Sequence, residues 1–544
     1  MIEVAWKRRG SKTLSSSRLL PAASRTLLAN RTLYLTVFIS GMSTLAIELA
    51  AARLLGAIFG TSNLVWASII GLILIYLTIG YFLGGRWADQ RPSAVRMYSL
   101  LAWGAFSAGF VPLVAKPILP LAAAAFDSLN VGVLAGSFAG VLILFSVPVT
   151  LLGTISPFAI RLALRRPGEA GTISGRIYAI STLGSFVGTF LPVLVLIPLI
   201  GTTLTFLFFS LLLLGTAYLG LWQAAGFRRV LLLAWMPAVL LVAVWLWGDT
   251  PFKRTAGQIL ELESAYNYIE VLQRDGYTLL RLNEGQGIHS VYHPDELNYY
   301  GPWELFLVAP YFNAGTLPAE VGRIGIVGLA AGTSARQLTE VYGALPIDGW
   351  EIDPAILKIG RDYFGMTMPN LNAIAQDGRW GLASSPHHYS VIEIDAYRPP
   401  YIPWHLTTLE FFQIVHDRLT EEGVLVINIG RAPGDRRLID GLAATIGALF
   451  PSLYVVDVPN SFNSIIYATR QSSDIQGLYE NYAALQYTGA HPLLLAAVAT
   501  AVTNLQPTPS GKTVFTDDRA PIEWMTNNLV LNFLLSGGTD SLAP

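Results

Sequence analysis

The pattern of apolar and polar positions changes near residue 250, and the two halves predict different elements. Between residues 32 and 248 only 15 side chains are charged. Apolar runs of about 20 residues, the length that crosses a hydrocarbon core, recur there. Seven are predicted, at 33–58, 62–83, 97–125, 131–160, 173–199, 202–222 and 230–247. From about 262 the runs shorten and alternate, as half-buried strands do. Tyr268–Leu272, Tyr277–Leu282 and Ile288–Tyr292 read as strands, with Asp275-Gly276 a hairpin signal between the first two.

After Pro318 the strand pattern alternates with helical stretches. Predicted strands are Arg323–Val327, Leu345–Trp350, Asn372–Ala375, Tyr389–Ile394 and Gly423–Ile429, with helices over 335–342 and 355–364 among them. That order predicts a parallel, doubly wound α/β sheet, whose ligands sit beyond the carboxyl ends of its strands. The fold class expected is therefore multi-domain. A polytopic α-helical membrane domain precedes a Rossmann-like α/β domain carrying a small β-subdomain at its start.

Composition sharpens the division. The chain has 544 residues, 53% of them hydrophobic and 13% charged, which excludes a disordered chain and a coiled coil. Its net charge of −1 hides a split. Residues 1–248 carry 18 basic and 5 acidic side chains, leaving 17 and 31 for the remainder. The absence of cysteine excludes disulfides, zinc ribbons and thiol nucleophiles. No metal-binding, phosphoryl-transfer or nucleic-acid motif is present, and the acidic second half disfavours a phosphate backbone as partner.

Loop charge orients the apolar half. Arg86, Arg91, Arg96, Arg161, Arg165, Arg166, Arg176, Arg228 and Arg229 flank alternate connections, while the others, such as 200–202, carry no Lys or Arg. The positive-inside rule puts the basic tail and the Arg-rich loops in the cytoplasm. Seven full crossings then leave residue 250 outside, whereas nucleoside supply argues for a cytoplasmic domain. The short last run, interrupted by Pro237, is the weak link, and the expectation adopted is a cytoplasmic domain on an integral cell-membrane protein. Glu48 and Arg53 in the first run are the intramembrane charges of interest, as a structural pair or as a ligand or proton site. Gly184 and Gly188 mark a close-packing face. Gly84-Gly85-Arg86-Trp87-Ala88-Asp89 resembles the short loop between neighbouring helices of major-facilitator transporters.

The ends of the second-half strands carry distinct groups. Gly328 and Gly332 allow a ligand to approach the backbone at a strand-to-helix turn. Glu351, about 20 residues on, is placed to accept from ribose hydroxyls, with Ile352 beside it. Asp377, followed by Gly378, is placed to accept from an adenine amino group, and Asp395 faces the reaction space. The turn lacks the G-x-G-x-x-G of dinucleotide sites, so a nucleoside sulfonium of the S-adenosylmethionine class fits better. Asp395 is the candidate for orienting or deprotonating an amine acceptor, with a role in holding the 395–403 loop as the alternative. Tyr397, Pro399, Pro400 and Tyr401 form a candidate lid.

From about 264 to 470 the chain resembles spermidine synthase, the polyamine aminopropyltransferase family. The resemblance rests on Tyr266-Asn-Tyr-Ile-Glu-Val, Leu282-Asn-Glu-Gly-Gln-Gly-Ile-His-Ser290, Asp295-Glu296, Gly328–Gly332, Glu351-Ile-Asp-Pro354, Asp377-Gly378 and Asp395-Ala-Tyr-Arg-Pro399. With preceding apolar helices, and with Thr516-Asp517-Asp518-Arg519-Ala520-Pro521 near the end, it is similar to bacterial membrane proteins in which such a domain follows a transporter-like region. The resemblance implies aminopropyl transfer from decarboxylated S-adenosylmethionine to an amine or polyamine, a methyltransferase-like sheet and no metal. It also implies a nucleoside contact near His289. Ala331 stands where the family's glycine turn has an Asp that binds the transferred chain's amine. Arg398 stands where the family has a proton-accepting Asp. Arg398 is suited to gripping the carboxylate of intact S-adenosylmethionine, with a position toward solvent or the acidic Asp517-Asp518 pair as the alternative. Tyr299, Asp517 and Asp518 are the acceptor-side candidates, the last two as replacement negative charge or as a helix-cap pair.

The division expected is a basic tail (1–31), a transmembrane domain (32–248), a linker (249–261), a β-subdomain (262–320), a nucleoside-binding domain (321–470) and a helical extension (471–544). The partners expected are the lipid bilayer, an amine small molecule and a second copy of the chain as homodimer. The competing readings are a polyamine transporter with a nucleoside-binding regulatory domain, and an altered S-adenosylmethionine sensor or methyltransferase.

Overall fold

The computed structural model describes residues 22–59, 63–128, 132–164, 166–248, 250–253, 255–283, 287–397, 402–432, 434–509, 511–526 and 528. The first half is helical: α1 (Ala22–Phe59), α2 (Asn63–Gln90), α3 (Ala94–Ser128), α4 (Gly132–Gly153), α5 (Ile155–Ala163), α6 (Ala170–Leu191), α7 (Ile197–Ala225), α8 (Phe227–Leu231) and α9 (Trp235–Trp247). Six stretches are long and apolar enough to cross a membrane by length and composition. One of them, Ala170–Ala225, is 56 residues long. It is broken at Gly201, whose φ of +76° and ψ of 170° only glycine adopts readily.

Contacts fix the direction of each helix. Tyr76 Oη donates to the Leu142 carbonyl at 3.3 Å, and further along Gly80 and Gly84 lie against Gly153 and Thr154, so α2 and α4 are parallel. Gly184 and Gly188 face the carbonyls of Phe38 and Met42, where a Cβ would overlap backbone. The expected close-packing face therefore joins α6, running parallel, to α1. Ser210 Oγ donates to the Ala105 carbonyl at 2.7 Å while Gly220 abuts Tyr98, making α7 antiparallel to α3. Trp235 meets Trp103, and Lys116 Nζ donates to Trp247 O at 3.0 Å, so α9 runs alongside α3 in the same direction. The sequence Gly84–Asp89 forms the last turns of α2 rather than a loop, and Asp89 pairs with Arg161 at 3.1 Å.

The second half opens with an antiparallel sheet of β1 (Gln258–Glu263), β2 (Tyr268–Arg274), β3 (Tyr277–Leu282) and β4 (Ile288–Tyr292). Asp275 and Gly276 turn β2 into β3 with φ of +50° and +87°, the mirror-image turn that suits the strand twist. Because β1 starts at Gln258, four residues of the expected linker are strand. This edge strand is at most half-buried throughout, so its hydrophobic signal is weak.

The larger sheet contains β5 (Ile324–Val327), β6 (Ile347–Glu351), β7 (Leu371–Ala375), β8 (Tyr389–Ile394), β9 (Leu419–Gly430), β10 (Ser452–Asp457), β11 (Asn463–Thr469) and β12 (Leu505–Gln506), in the order β12-β10-β11-β9-β8-β5-β6-β7. The five strands β7, β6, β5, β8 and β9 are parallel, and β11 enters antiparallel beside β9. The helices here are α10 (Trp303–Phe306), α11 (Thr333–Tyr342), α12 (Pro354–Tyr363), α13 (Gly378–Ser384), α14 (Leu409–Arg418), α15 (Arg437–Gly447), α16 (Ile475–Leu485) and α17 (Pro492–Thr503). Separate apolar cores cover the two faces, one under α11 and α17 and one under α14 and α15. The expected all-helical extension also contributes β12 to the sheet edge.

The halves meet through specific polar contacts. Arg53 donates to the carbonyls of Ser264 and Tyr266, and Thr202 N donates to Glu263 Oε2 at 2.7 Å. Lys116 Nζ also reaches Gly248 O and Thr250 O at 2.7 Å, and Asn63 donates to Glu523.

Candidate functional site

Five parallel strands bring their carboxyl ends to one edge, and the turn after the central strand β5 forms the cradle. Gly328 has φ of +92°, and a Cβ there would lie 2.7 Å from the backbone of Asp395 and Ala396. Its N–H and that of Leu329 donate to the Trp350 carbonyl. Ala330 takes φ of +48°, and Gly332 begins α11 at +89°. The small β-sheet clamps this turn. Ser290 Oγ accepts from Ala331 N at 3.0 Å, while Thr333 Oγ1 both accepts from Val291 N and donates to Val291 O at 2.9 Å.

Glu351 ends β6 beneath the turn. Its Oε2 accepts from Ala330 N and its Oε1 from Asp353 N, each at 3.0 Å. Burial lifts its carboxyl to about 7 against those hydrogen bonds. Ile352 beside it is 43% exposed, an apolar platform at the strand end. Asp353 caps α12 through Ala355 N and also accepts from Ser264 Oγ and Asn267 Nδ2. The Ser264–Asn267 turn held by Arg53 is thus tied to the residue two positions beyond Glu351.

Asp377 caps α13, accepting from Trp380 N at 3.0 Å, and its other oxygen meets His405 Nε2 at 3.1 Å. The His405 hydrogen bond holds its carboxyl below the usual range. Gly378 packs so closely on Val327 that a Cβ would collide with it. Asp395 follows β8, with Asn428 Nδ2 donating at 2.9 Å and the Trp303 indole as a second donor. Burial raises Asp395 to about 7. Tyr397 Oη donates to Asn428 O at 3.2 Å, pinning that ring on β9.

Glu393, Trp303, Asn428 and His405 were not among the expected residues. Glu393 is buried, with Oε2 accepting from Ser334 Oγ at 2.7 Å and Oε1 lacking a hydrogen-bond partner among the described residues. Burial holds it well above the carboxylate range. A Glu and an Asn inside the apolar runs 391–394 and 424–429 of β8 and β9 were the available signal. His289 is half-buried, its enclosed Nε2 has no hydrogen-bond partner among the described residues, and burial lowers it to about 4. It is a neutral imidazole at neutral pH.

Other expected residues are committed elsewhere. Tyr299 Oη donates to Glu296 O and accepts from Arg336 Nη1 at 3.1 Å, closing the 293–299 turn. Asp517 forms a two-pronged pair with Arg379 at 2.8 and 2.7 Å and accepts from Thr408 Oγ1. Both of its carboxylate oxygens are thus engaged by Arg379. Asp518 is exposed at the tip of the turn closed by Thr516 and Arg519. Ala331 is buried among Ile356 and Ile359. Arg398, with Pro399, Pro400 and Tyr401, lies outside the described residues. Among the described residues Glu48 has no ion-pair partner within 4.0 Å, and Arg53 is directed to the second half. No group of three His, Asp or Glu side chains is placed to hold a metal ion among the described residues.

A doubly wound sheet with a glycine cradle and acids at three successive strand ends defines an α/β domain with a candidate ligand cleft at its strand ends. Its relatives narrow the class. A probable polyamine aminopropyl transferase of Bifidobacterium longum is 31% identical over 277 residues, 48% of this chain and 61% of that protein. A polyamine aminopropyltransferase of Vibrio vulnificus is 30% identical over 244 residues, 42% of this chain and 78% of that protein. The chain belongs to the polyamine aminopropyltransferase family, through its C-terminal half. A mouse eEF1A lysine and N-terminal methyltransferase is 29% identical over 153 residues, 26% of this chain and 22% of that protein. No family model matches the chain.

Proposed function

We propose that this chain is a membrane-embedded group transferase. It moves an aminopropyl or related alkyl group from decarboxylated S-adenosylmethionine or S-adenosylmethionine to an amine or polyamine. The observation that carries the reading is the ordered set of Gly328–Gly332, Glu351, Asp377 and Asp395 at adjacent strand ends in a chain of this family. The bound donor supplies an electrophilic carbon next to a sulfonium. Glu351 accepts from the ribose hydroxyls, Ile352 backs the base, and Asp377 takes its amino group. The orphaned His289 Nε2 sits on β4, the strand that clamps the cradle, and offers one further polar contact. Asp395 orients the amine acceptor and takes its proton, with Asn428 and Trp303 holding its carboxyl. Near neutral pH its raised pKa suits that exchange.

Membrane embedding is supported by the apolar side chains the bundle leaves outside. Phe82, Leu183, Phe186, Leu194, Leu199 and Trp245 are each more than 60% exposed. Large apolar side chains exposed in this number on long helices call for lipid. With the break at Gly201, the helices make seven crossings.

A second reading is favoured by Ala331. No carboxylate stands there to receive the amine of an aminopropyl group, and Arg398 is suited to the carboxylate that decarboxylation removes. Intact S-adenosylmethionine is then the donor. Titration calorimetry of the full chain in nanodiscs with decarboxylated S-adenosylmethionine, S-adenosylmethionine and methylthioadenosine tests both readings. Binding of at least one, lost by a factor of 100 or more in Glu351→Ala (about 3 kcal/mol), is expected. No binding of any of the three refutes the transferase, and the preferred donor decides between the readings.

A further inference from the structure

The helix directions and the domain contacts together resolve which side of the bilayer carries the site. The hydrogen bonds from the bundle to the second half named above, all among the described residues, come from one end of the bundle. Arg53 lies near the C-terminal end of α1, Asn63 begins α2, Thr202 follows the break at Gly201 within α7, and Lys116 is in the later half of α3. The last helix ends there too. Its alignment with α3, from Trp103–Trp235 to Lys116–Trp247, shows that α9 runs from the arginine-bearing end toward the end that meets the second half. Pro237, in its first turn, does not stop it.

The opposite end carries the arginines. Arg86, Arg91 and Arg96 surround the α2–α3 turn, Arg161 lies in the last turn of α5 with Arg166 soon after it, and Arg228 and Arg229 lie on α8. The Asp89–Arg161 pair binds two of these connections together. In sequence, the stretches 60–62, 129–131 and 200–202 between the other helix ends contain no Lys or Arg. Of the cationic side chains near the domain end, Arg53 and Lys116 are directed to carbonyls of the following segment and Lys253, just after α9, to Glu270 and the Asn283 carbonyl, while Arg254 follows it in sequence. Short basic loops stay on the cytoplasmic side, at a cost that grows with each translocated charge.

We propose that the nucleoside-binding domain sits on the extracytoplasmic face of the membrane, so its donor and acceptor are taken from that side. A nucleoside donor made in the cytoplasm must then be exported before it reaches Glu351, and the reaction that consumes the product starts outside. The placement rests on the membrane-spanning reading of the helices, and its consequence for donor and acceptor rests on the transferase reading.

The absence of cysteine makes a direct test clean. Single cysteines are introduced at Gln90, in the Arg-rich turn, and at Ser472, both exposed. Spheroplasts with an intact inner membrane are treated with a membrane-impermeant maleimide before and after detergent. Ser472→Cys is expected to label fully before detergent and Gln90→Cys only after it. Protection of Ser472→Cys until detergent overturns the proposal. Release of the protein by alkaline carbonate also overturns it, and does so by removing the membrane reading itself. Neither outcome touches nucleoside binding, which calorimetry reads separately.

Discussion

Asp395 and Glu351 owe their character to where the chain buries them. Each is a carboxyl held near 7 because the cleft removes water faster than hydrogen bonds replace it. The sign of the effect on stability follows. Between about pH 4 and 7 the folded state keeps a proton at each site that the unfolded chain has released, so stability falls as pH rises through that window. Asp395→Asn removes one such liability. Its melting temperature is expected to match wild type at pH 4 and exceed it at pH 8, at roughly 1.4 kcal/mol for each unit of displaced pKa. Calorimetric scans at the two pH values check this. In a transfer assay the same substitution is expected to lower kcat by about two orders of magnitude with little change in donor affinity.

Not all of these residues were legible in advance. Glu351, Asp377 and Asp395 stood out because acids end successive apolar strands. His405 and Arg379 carried no local signal, since their partners, Asp377 and Asp517, lie 28 and 138 residues away.

At the scale of elements, two close approaches govern the packing. Gly188 lets α6 rest on the Met42 carbonyl of α1. Gly188→Leu is expected to destabilise the bundle by about 3 kcal/mol or more, seen as a lower melting temperature in detergent. Gly215→Leu, on an open face of α7, is the neutral control. In the second half, Asp517 and Arg379 tie the C-terminal segment to α13, the helix that Asp377 caps. Arg379→Ala is expected to cost about 1–2 kcal/mol and to weaken nucleoside binding modestly, because α13 loses its anchor. A shift in melting temperature with unchanged affinity refutes the positioning part.

The individual strands were readable from their alternation, and β3, β4 and β8 fall at the expected residues. The insertion of β11 beside β9 was not. A chain that returns antiparallel to an existing edge has the same local pattern as one that starts a new hairpin.

Across the whole molecule, Arg53 links the bundle to the site. Its contacts to the Ser264 and Tyr266 carbonyls steady a turn whose Ser264 and Asn267 side chains hold Asp353, next to the nucleoside strand end. Arg53→Gln is expected to raise hydrogen exchange across 264–267 about tenfold or more, a loss near 1.4 kcal/mol of local stability. Unchanged exchange there would show that the turn stands without the bundle.

The amino-acid pattern by itself determined the division into an apolar, arginine-edged half and an acidic α/β half, because hydropathy and charge are additive properties of the chain. It also placed the glycine cradle and the strand-end acids, whose spacing follows from one strand–helix unit. Tertiary structure decided the rest: the strand order, the pairing of Asp517, the burial that raises Asp395, and the direction of α9 along α3. Each of those depends on which distant surfaces meet, and only the folded chain brings them together.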